Sequence, residues 1–353
     1  MMSIRTVHAL APAVFLLFLR CWSQGETVPE NLVTIAFYNV ENLFDTEDDP
    51  HTLDEDFTIS GKNHYSPQAY RSKLSNIAWV ISRIGQQHTG SPPSLVGLAE
   101  IENRKVLEDL VERPEIRDAN YRIIHFDSPD LRGIDVALLY RESHFIPLEH
   151  EALEVKIWDE NGQRLYTRDI LWVHGFLLEE EVHLLVNHWP SRRRGASASA
   201  PKRLRAAYHT RRTIDRILAE NPEARILVMG DFNDNPSDKS IESGLLGTSD
   251  PKRMHTSELF NPMHRMYARG WNSMAFRGEL HLFDQILLSW SLAGRKAPAN
   301  GLRFHKAGIF NPFYLIHSSG PYQGYPFRSF ENGYFSGGFS DHYPVYALLK
   351  KIL

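Results

Sequence analysis

The feature that most limits how this chain can fold is a repeated junction between apolar strands and polar side chains. Six apolar segments carry carboxylate, amide or imidazole residues within them or at one end: IAFYNVEN, LVGLAEIEN, HLLVNHWPS, RILVMGDFNDNP, HLFDQILLS and GGFSDHYPV. A carboxylate in or beside a buried strand is costly unless another group compensates it. One such case has an ordinary explanation, such as a loop cap, but six predict that the strand ends converge on one cleft.

The polar residues of these segments are of the kinds that hold divalent cations and move protons. They are Asn39, Glu41, Glu100, Asn187, His188, Asp231, Asn233, Asp284, Asp341 and His342. Converging carboxylates repel one another, and a divalent cation relieves that repulsion and keeps them ionised. The candidate ligands are oxygen donors and the sequence has no CxxC or HExxH pattern, which favours Mg²⁺, Mn²⁺ or Ca²⁺ over structural zinc.

Hydrophobic periodicity predicts strands with occasional helices, arranged as stacked sheets covered by helices. The predicted strands are 32–38, 95–99, 121–126, 134–140, 170–177, 182–187, 226–229, 282–288 and 345–349. Two helical faces are predicted, one formed by Tyr70, Leu74, Ile77, Ile81 and Ile84, the other by Leu204, Ala207, Ile214, Ile217 and Leu218 after an opening Pro201. The Gly-, Pro- and aromatic-rich stretch 298–338 is expected to form long structured loops.

Composition sets wide limits on size and partners. The 353 residues are 42% hydrophobic and 23% charged, enough for a large core in one or two domains. The net charge of −4 argues against a dedicated, tight nucleic-acid clamp, although local basic patches remain compatible with phosphate binding. We expect no stable protein partner, and a monomer.

The start of the sequence has the pattern of a secretory signal peptide. Arg5 and His8 precede the apolar run ALAPAVFLLFL, which is too short to span a bilayer as a helix. We assign residues 1–24 to a signal peptide and 28–353 to one domain, and expect a secreted or periplasmic protein. Cys21 is the only cysteine; lipid attachment there is the less favoured alternative, because Arg20 replaces the small residue such sites prefer, and an uncleaved apolar tail is another. Removal of Cys21 would leave neither a disulfide nor a thiol nucleophile.

Together and in this order, the segments resemble the motif set of the endonuclease/exonuclease/phosphatase superfamily. The resemblance covers roughly residues 32 to 350, and GDFN at 230–233 and SDHYPV at 340–345 are its most specific parts. The sequence is especially similar to secreted bacterial members with NVENLFD, RGIDVALLY, NHWPSR and GDFNDNP segments. The resemblance implies an α/β (α+β) fold, the four-layered α/β/β/α sandwich of deoxyribonuclease-like proteins.

The resemblance also implies roles for the residues that match its motifs. Glu100, with Glu41 and Asn39, would hold the main metal against the scissile phosphate, and Asp341 would lie beside it. Asn233 would donate a hydrogen bond to a phosphate oxygen, and Asp284 would fix the tautomer of His342. His188 resembles the second histidine of the deoxyribonuclease and sphingomyelinase branches, near the leaving group, which points away from abasic-site endonucleases.

The general base is either Asp231 or His342. Histidine has the intrinsic pKa better matched to neutral pH, which favours His342 over an aspartate beside a metal. Asp231 would then orient the attacking water.

Substrate contacts are predicted at Asn187, Arg192 and Arg328. Arg192 belongs to a basic stretch that continues through Lys202, Arg203 and Arg205, and a solvated, flexible loop is an equally good interpretation of it. Arg168 and Asp135, in contrast, are expected to form core ion pairs.

These observations predict a divalent-metal-dependent phosphodiesterase whose substrate is a phosphodiester, with an extracytoplasmic nuclease as the leading activity. A sphingomyelinase-like or other phospholipid phosphodiesterase is the closest alternative, and a phosphomonoesterase is another. A catalytically silent binding module would have no need to keep Glu100, Asp231, Asn233, Asp284 and His342 together. Family resemblance defines the reaction type better than the substrate.

Overall fold

Two mixed β-sheets form the centre of the protein in a computed structural model that describes residues 31–159, 161–193 and 195–353. The predicted signal peptide, 1–24, and Cys21 lie outside these residues. The strands of the two sheets are β1 Leu32–Leu43, β2 Leu95–Ile101, β3 Tyr121–His125, β4 Asp135–Arg141, β5 Phe145–Leu153, β8 Ile170–Leu177, β9 Glu180–His188, β10 Ile226–Asp231, β11 Gly247–Thr248, β12 Leu259–Phe260, β15 Asp284–Ser289, β16 Gly301–Ile309 and β19 Val345–Ile352.

Short hairpins and helices complete the fold. The hairpins pair β6 Ile157–Trp158 with β7 Arg164–Leu165, β13 Met274–Phe276 with β14 Glu279–His281, and β17 Phe330–Glu331 with β18 Tyr334–Phe335. The α-helices are α1 Pro67–Ile81, α2 Gln86–Thr89, α3 Arg104–Val111, α4 Ala196–Glu220, α5 Pro262–Tyr267 and α6 Trp290–Ala293. Single helical turns occur at Glu55–Phe57, Arg117–Ala119 and Phe313–Leu315, and a wider, π-type turn at Ser240–Gly244. None of the helices between residues 31 and 353 that the structure describes has the length and apolar character needed to cross a membrane.

The first sheet has the strand order β16-β19-β1-β2-β4-β3, and the second has the order β11-β12-β15-β10-β9-β8-β5. All strands of the second sheet come from the middle of the chain, whereas the first combines β1–β4 with β16 and β19. β1 lies antiparallel to β19, with Leu32 opposite Lys350.

The sheets pack face to face with helices outside them. They approach so closely that a Cβ at Gly97 of β2 would lie 2.6 Å from Met229 Sδ of β10. On the outer side of the second sheet, Ile214 and Ile217 of α4 share a hydrophobic cluster with Leu185 and Val228. Helices α1 and α3 contact each other and the strands of the first sheet. This is the predicted four-layered α/β/β/α sandwich.

All nine predicted strands are present, but two long strands were not predicted. β5 contains Pro147 and several exposed polar residues, and β16 lies in the stretch expected to form loops. Both are edge strands, where solvent contact weakens the hydrophobic pattern. The second helix also differs, since α4 begins at Ala196 and contains Pro201 rather than starting at it. The Ala/Ser run that reads as a flexible loop is therefore helical.

Candidate active site

Three neighbouring strands of the second sheet bring three of the predicted site residues to the same level. Asp231 at the end of β10 is paired in register with His188 on β9 and with Asp284 on β15. Residues directly opposite each other on paired strands project from the same face. That face is the inner one, because Met229, two residues before Asp231, meets the first sheet.

The first sheet supplies its residues from two adjacent irregularities. The pairing of β1 with β2 shifts register between Asn39 and Leu43, and that of β2 with β4 shifts between Ala99 and Ile101. At these places Glu41, Asn42 and Glu100 have φ values of 51°, 52° and 65°. Such values are uncommon for residues with a Cβ, and such strain concentrates at functional sites. Glu41 is therefore positioned by the bulge and not by the regular alternation of a strand.

Hydrogen bonds between the sheets connect the site residues of the first sheet with those of the second. Asn39 Nδ2 donates to Asp231 Oδ2 at 3.0 Å, and His342 Nδ1 lies 2.7 Å from Asp284 Oδ2. Ser340 fixes the segment that carries His342, since its Oγ donates to the Asn39 carbonyl at 2.7 Å and accepts the His342 N–H at 3.0 Å. The predicted convergence of strand ends is thus present in the structure.

The charge of His342 depends on the buried aspartates around it. Burial disfavours the imidazolium, but the hydrogen bond and charge of Asp284, with the charges of Asp231 and Asp341, outweigh burial and raise the His342 pKa well above its usual value. Ser273 Oγ also donates to Asp284 Oδ2, at 2.5 Å. The raised pKa favours the protonated ring, which can donate a hydrogen bond to a phosphate oxygen.

Asp231 lies between the two histidines of the site. Its Oδ2 is 3.7 Å from His188 Nε2 and 3.9 Å from His342 Nε2, and its Oδ1 accepts the Asn233 N–H at 2.9 Å. Burial, opposed by His342 and assisted by Asp284, raises its pKa to about 6. A carboxylate of this basicity is better matched to accepting a proton near neutral pH than an ordinary aspartate.

His188 is a buried, neutral imidazole on the second sheet's side of the cleft. Burial, with the positive charges of Arg168, Arg132 and His342, lowers its pKa well below the usual value. Its Nε2 lies 3.9 Å from Glu100 Oε1. Arg168 itself is buried and paired with Asp130 at 3.0 Å, as expected for a core ion pair.

Glu41 is a buried carboxylate that the segment before β17 holds in place. Arg328 Nη2 lies 3.1 Å from its Oε1, and the Ser329 N–H donates to its Oε2 at 2.5 Å. The fully buried Lys73 of α1 donates to the Val40 carbonyl at 2.9 Å and to Ser329 Oγ at 2.6 Å. Burial and the charge of Asp341 raise the Glu41 pKa to about 7, despite Lys73 and Arg328.

The donor set suits a hard divalent cation. Glu100 Oε2 accepts the Asn42 N–H at 2.9 Å, and within the described ranges its Oε1 accepts no hydrogen bond, with His188 Nε2 at 3.9 Å. Carboxylate oxygens with free capacity are what Mg²⁺ and related ions select. Asp231, Asp284 and His342 also have ligand atoms within 4.8 Å of one another, but Asp284 and His342 already bond to each other. The geometry therefore fits a cation at Glu100.

Asn187 and Asn233 have different surroundings from those predicted. Asn187 is fully buried, with its Nδ2 on the Leu185 and Met229 carbonyls and its Oδ1 accepting from Thr210 and Trp189, so substrate does not reach it. Alternation along β9 explains this, because Asn187 faces α4 while His188 faces the cleft. Asn233 Nδ2 donates to the Trp189 carbonyl at 3.0 Å rather than standing free.

Arg192 is also committed to the fold. Its guanidinium donates to the Asn233 carbonyl at 2.7 Å, to Asp234 at 2.8 Å and to Asp238 at 2.6 Å. Arg203 of the same basic stretch is buried against Asp234, with Nε 2.6 Å from Oδ1. These two arginines therefore form ion pairs within the fold. They are neither free to bind substrate phosphate nor part of a flexible loop.

Sequence reasoning missed two residues that support the site, Lys73 and Ser273. Lys73 occupies the apolar side of an amphipathic helix, one position before Leu74, which was a detectable anomaly. Ser273 lies in a loop with no strand signal, and nothing in its sequence neighbourhood marks it.

Comparisons with known proteins agree with this architecture. A family model described as Endonuclease/Exonuclease/phosphatase family matches residues 34–351. Among solved structures, truncated Caenorhabditis elegans TDP2 is similar with a TM-score of 0.54 and 15% identity, covering 92% of this chain and 100% of that one. An endonuclease/exonuclease/phosphatase family protein from Bacteroides thetaiotaomicron has a TM-score of 0.55 and 16% identity, covering 91% and 96%.

A third solved structure, D. rerio TDP2 complexed with single strand DNA product, has a TM-score of 0.53 and 14% identity, covering 91% of this chain and 100% of that one. At these identities the likeness shows the fold alone. Among curated proteins, no sequence matches the chain significantly.

Proposed function

Because this chain belongs to the endonuclease/exonuclease/phosphatase family and is a hydrolase acting on phosphoester bonds, we propose that it is a divalent-metal-dependent phosphodiesterase of nucleic acid that acts outside the cytoplasm. One observation carries the proposal. His188, Asp231 and Asp284 of one sheet meet Asn39, Glu100 and His342 of the other, and two side-chain hydrogen bonds join them across the sheets.

A bound divalent cation would be held by Glu100, with Glu41 and Asp341 nearby, and would supply positive charge to a phosphate oxygen. The chain's own residues account for the other requirements. Asp231 would orient water and accept its proton, since its Oδ1 is fixed by the Asn233 amide and its pKa is raised. The protonated His342 would donate from Nε2 to the phosphate, with its ring oriented by the hydrogen bond from Nδ1 to Asp284.

His188 would act on the opposite side of the phosphate from the first sheet. Because the ring is neutral, its Nε2 can donate or accept a hydrogen bond at the substrate, depending on the tautomer. Burial and the positive charges of Arg168 and Arg132 favour this neutral state. Positioning, charge stabilisation and proton transfer each lower the barrier, and proton transfer by a positioned group contributes roughly 10²–10⁴-fold.

Nucleic acid is the substrate class that the surroundings favour. A structurally similar protein, D. rerio TDP2, was crystallised with a single-stranded DNA product. The cleft-side cations Arg328 and Lys62 offer phosphate contacts beside the catalytic residues. The overall charge of −4 is compatible with a hydrolase that must release its product.

The test is hydrolysis of plasmid DNA, single-stranded DNA, RNA and sphingomyelin vesicles by the purified protein, with Mg²⁺ or with chelator, beside His342→Ala. We expect metal-dependent cleavage of nucleic acid that falls by at least about 10²-fold in His342→Ala. Preferential hydrolysis of sphingomyelin would replace the substrate assignment. Full activity in chelator, or in His342→Ala, would overturn the mechanism.

Export is proposed from the sequence of residues 1–24 alone. Expression of the full chain with a C-terminal tag, followed by fractionation and N-terminal sequencing, tests it. We expect a processed chain that begins after the apolar run. A full-length chain in the cytoplasm would contradict export. A chain that begins at a lipid-modified Cys21 would replace cleavage after residue 24 with lipid anchoring.

A further inference from the structure

A cavity of about 410 Å³ opens beside the catalytic residues on the first sheet's side. Glu41, Asn42 and Arg328 form the wall nearest the catalytic centre, and the Asn42 N–H bonds to Glu100, so the cavity begins one hydrogen bond from the proposed cation ligand. Pockets that bind small organic groups commonly have volumes of about 300–1,000 Å³. The proposed function gives roles to Glu41, Lys62 and Arg328 of this lining but none to the asparagines and aromatic rings.

The floor of the cavity is rigid and aromatic. Phe57 stacks on Phe44, with ring centroids 4.3 Å apart, and meets Phe330 edge-on at 5.3 Å. Phe330 also packs on Tyr65 at 5.3 Å. A floor held by several interlocked rings is formed before any ligand binds.

A tight hairpin forms one side of the cavity. Strands β17 and β18 are joined by Asn332 and Gly333, with φ values of 52° and 80°, as a two-residue turn of this hand requires. A Cβ at Gly333 would lie 2.9 Å from the Lys62 carbonyl, so the hairpin contacts the 57–65 loop directly. This contact places the side chains of Asn332 and Lys62 in the same wall.

Tyr322 also lines the cavity, and among the aromatic residues of the lining it is the exposed one. It keeps 40% of its surface accessible although its ring packs against His317 at 6.0 Å and Tyr325 at 6.2 Å. His317 is in turn paired with Glu331 of the hairpin, at 2.5 Å. An aromatic ring that is supported on one side and open on the other is a stacking platform.

The polar groups around these rings suit a planar heterocycle next to a phosphate. Asn63 and Asn332 offer amide donors and acceptors of the kind that bind base edges, and Lys62 and Arg328 offer cations. We propose that the cavity binds one nucleobase of the substrate, stacked on Tyr322, next to the phosphate that is cleaved. The inference rests on the proposed function and names the substrate as a strand with at least one accessible, unpaired base.

The test compares two oligodeoxynucleotides of equal length, one with normal bases and one with tetrahydrofuran abasic residues throughout. The full chain, Tyr322→Leu, Tyr322→Phe and the control Phe313→Ala are assayed on both in Mg²⁺, after thermal unfolding shows that each variant is folded. Phe313 is a suitable control because its ring is 84% exposed and lies outside the cavity.

We expect the unaltered protein to have a kcat/KM about 10-fold higher for the normal strand than for the abasic strand, mainly through KM. Tyr322→Leu should lose this preference and keep the rate on the abasic strand. Tyr322→Phe and Phe313→Ala should retain it. Equal rates on both strands in the unaltered protein, or equal losses on both in Tyr322→Leu, would overturn the base site while leaving the phosphodiesterase intact. No cleavage of either strand would instead overturn the proposed function.

Discussion

The contact between His342 Nδ1 and Asp284 Oδ2 is the single interaction on which the charge of the site depends most. It is buried, 2.7 Å long and joins residues 58 positions apart. The carboxylate both fixes the orientation of the ring and favours its protonated form.

Asp284→Asn is therefore expected to lower kcat by about 10²-fold or more, with a smaller change in KM, because an amide cannot hold the imidazolium. Steady-state kinetics on the preferred strand measure both constants. Ser273→Ala, which removes the other donor to the same oxygen but keeps the charge, should lose less than about tenfold. Near-normal kcat in Asp284→Asn would contradict the role assigned to the pair.

Arg192 leads to the opposite expectation, a loss of stability without a loss of substrate affinity. Arg192→Ala removes the donor to the Asn233 carbonyl and one of the donors to each of Asp234 and Asp238, and should lower the free energy of unfolding by about 2 kcal/mol. Urea unfolding measures this, and the exposed neighbour Arg193→Ala should change it by no more than about 0.5 kcal/mol. A raised KM with normal stability would restore the phosphate-binding interpretation.

The residues that sequence reasoning identified share a physical signature, a polar side chain where a buried strand requires an apolar one. That signature located Asp231, Asp284 and His342 because a polar group is retained in a buried segment only where a partner compensates its burial. It could not separate Asn187 from His188, since adjacent residues of a strand face opposite layers and the sequence does not say which layer holds the cleft. Nor could it reveal Ser273, whose role arises only from tertiary contact.

At the scale of elements, the site depends on three segments that Lys73 holds together. Helix α1, strand β1 and the segment before β17 meet at its ammonium group. Burial lowers the pKa of this lysine to about 8, despite the charge of Glu41.

Lys73→Met should lower the free energy of unfolding by about 3 kcal/mol, because the Val40 carbonyl, Ser329 and Glu41 lose a buried cation. The matched change Lys105→Met, on an exposed lysine paired with Asp109, should cost less than about 1 kcal/mol. Chemical denaturation compares the two. If both substitutions lower the free energy of unfolding equally, the buried ammonium of Lys73 does not join these elements.

The β8–β9 pair gives a pH dependence that can be assigned to one residue. Burial and the charge of His174 lower the His183 pKa from 6.5 to about 4. In the unfolded chain the same ring binds a proton near pH 6.5, so between these values acid favours unfolding and stability falls as the pH falls. His183→Phe, which keeps a ring beside His174, should reduce the difference in urea midpoint between pH 7.5 and pH 5. His305→Gln, at an exposed position, should leave that difference unchanged. If His183→Phe also leaves it unchanged, the assignment to His183 is refuted.

Elements differed in how well the sequence predicted them because they differ in burial. Central strands such as β1 and β10 are apolar along almost their whole length and were identified without ambiguity. The edge strands β5 and β16 were not, since one edge and part of one face meet water and their patterns are mixed. The bulges that position Glu41 and Glu100 have no signature in the sequence.

At the scale of the whole molecule, the clustered carboxylates predict that stability depends on divalent cations. Glu41, Glu100 and Asp341 lie close enough to affect the same lysine, and their mutual repulsion opposes folding. Mg²⁺ should therefore raise the unfolding temperature, by an amount that grows with its concentration as mass action requires. Glu100→Gln should weaken this increase. Differential scanning fluorimetry across a Mg²⁺ titration tests both, and an unfolding temperature independent of Mg²⁺ would contradict a cation at this site.

The division of the catalytic residues between two separately formed sheets has a consequence for when the enzyme becomes active. Neither sheet alone contains a complete set, and the His342–Asp284 and Asn39–Asp231 bonds exist only after the faces carrying Gly97 and Met229 have closed on each other. Maturation and the onset of hydrolysis are thus one event. If the proposed function holds, a chain that is still extended, as during synthesis or export, cannot hydrolyse the nucleic acid around it.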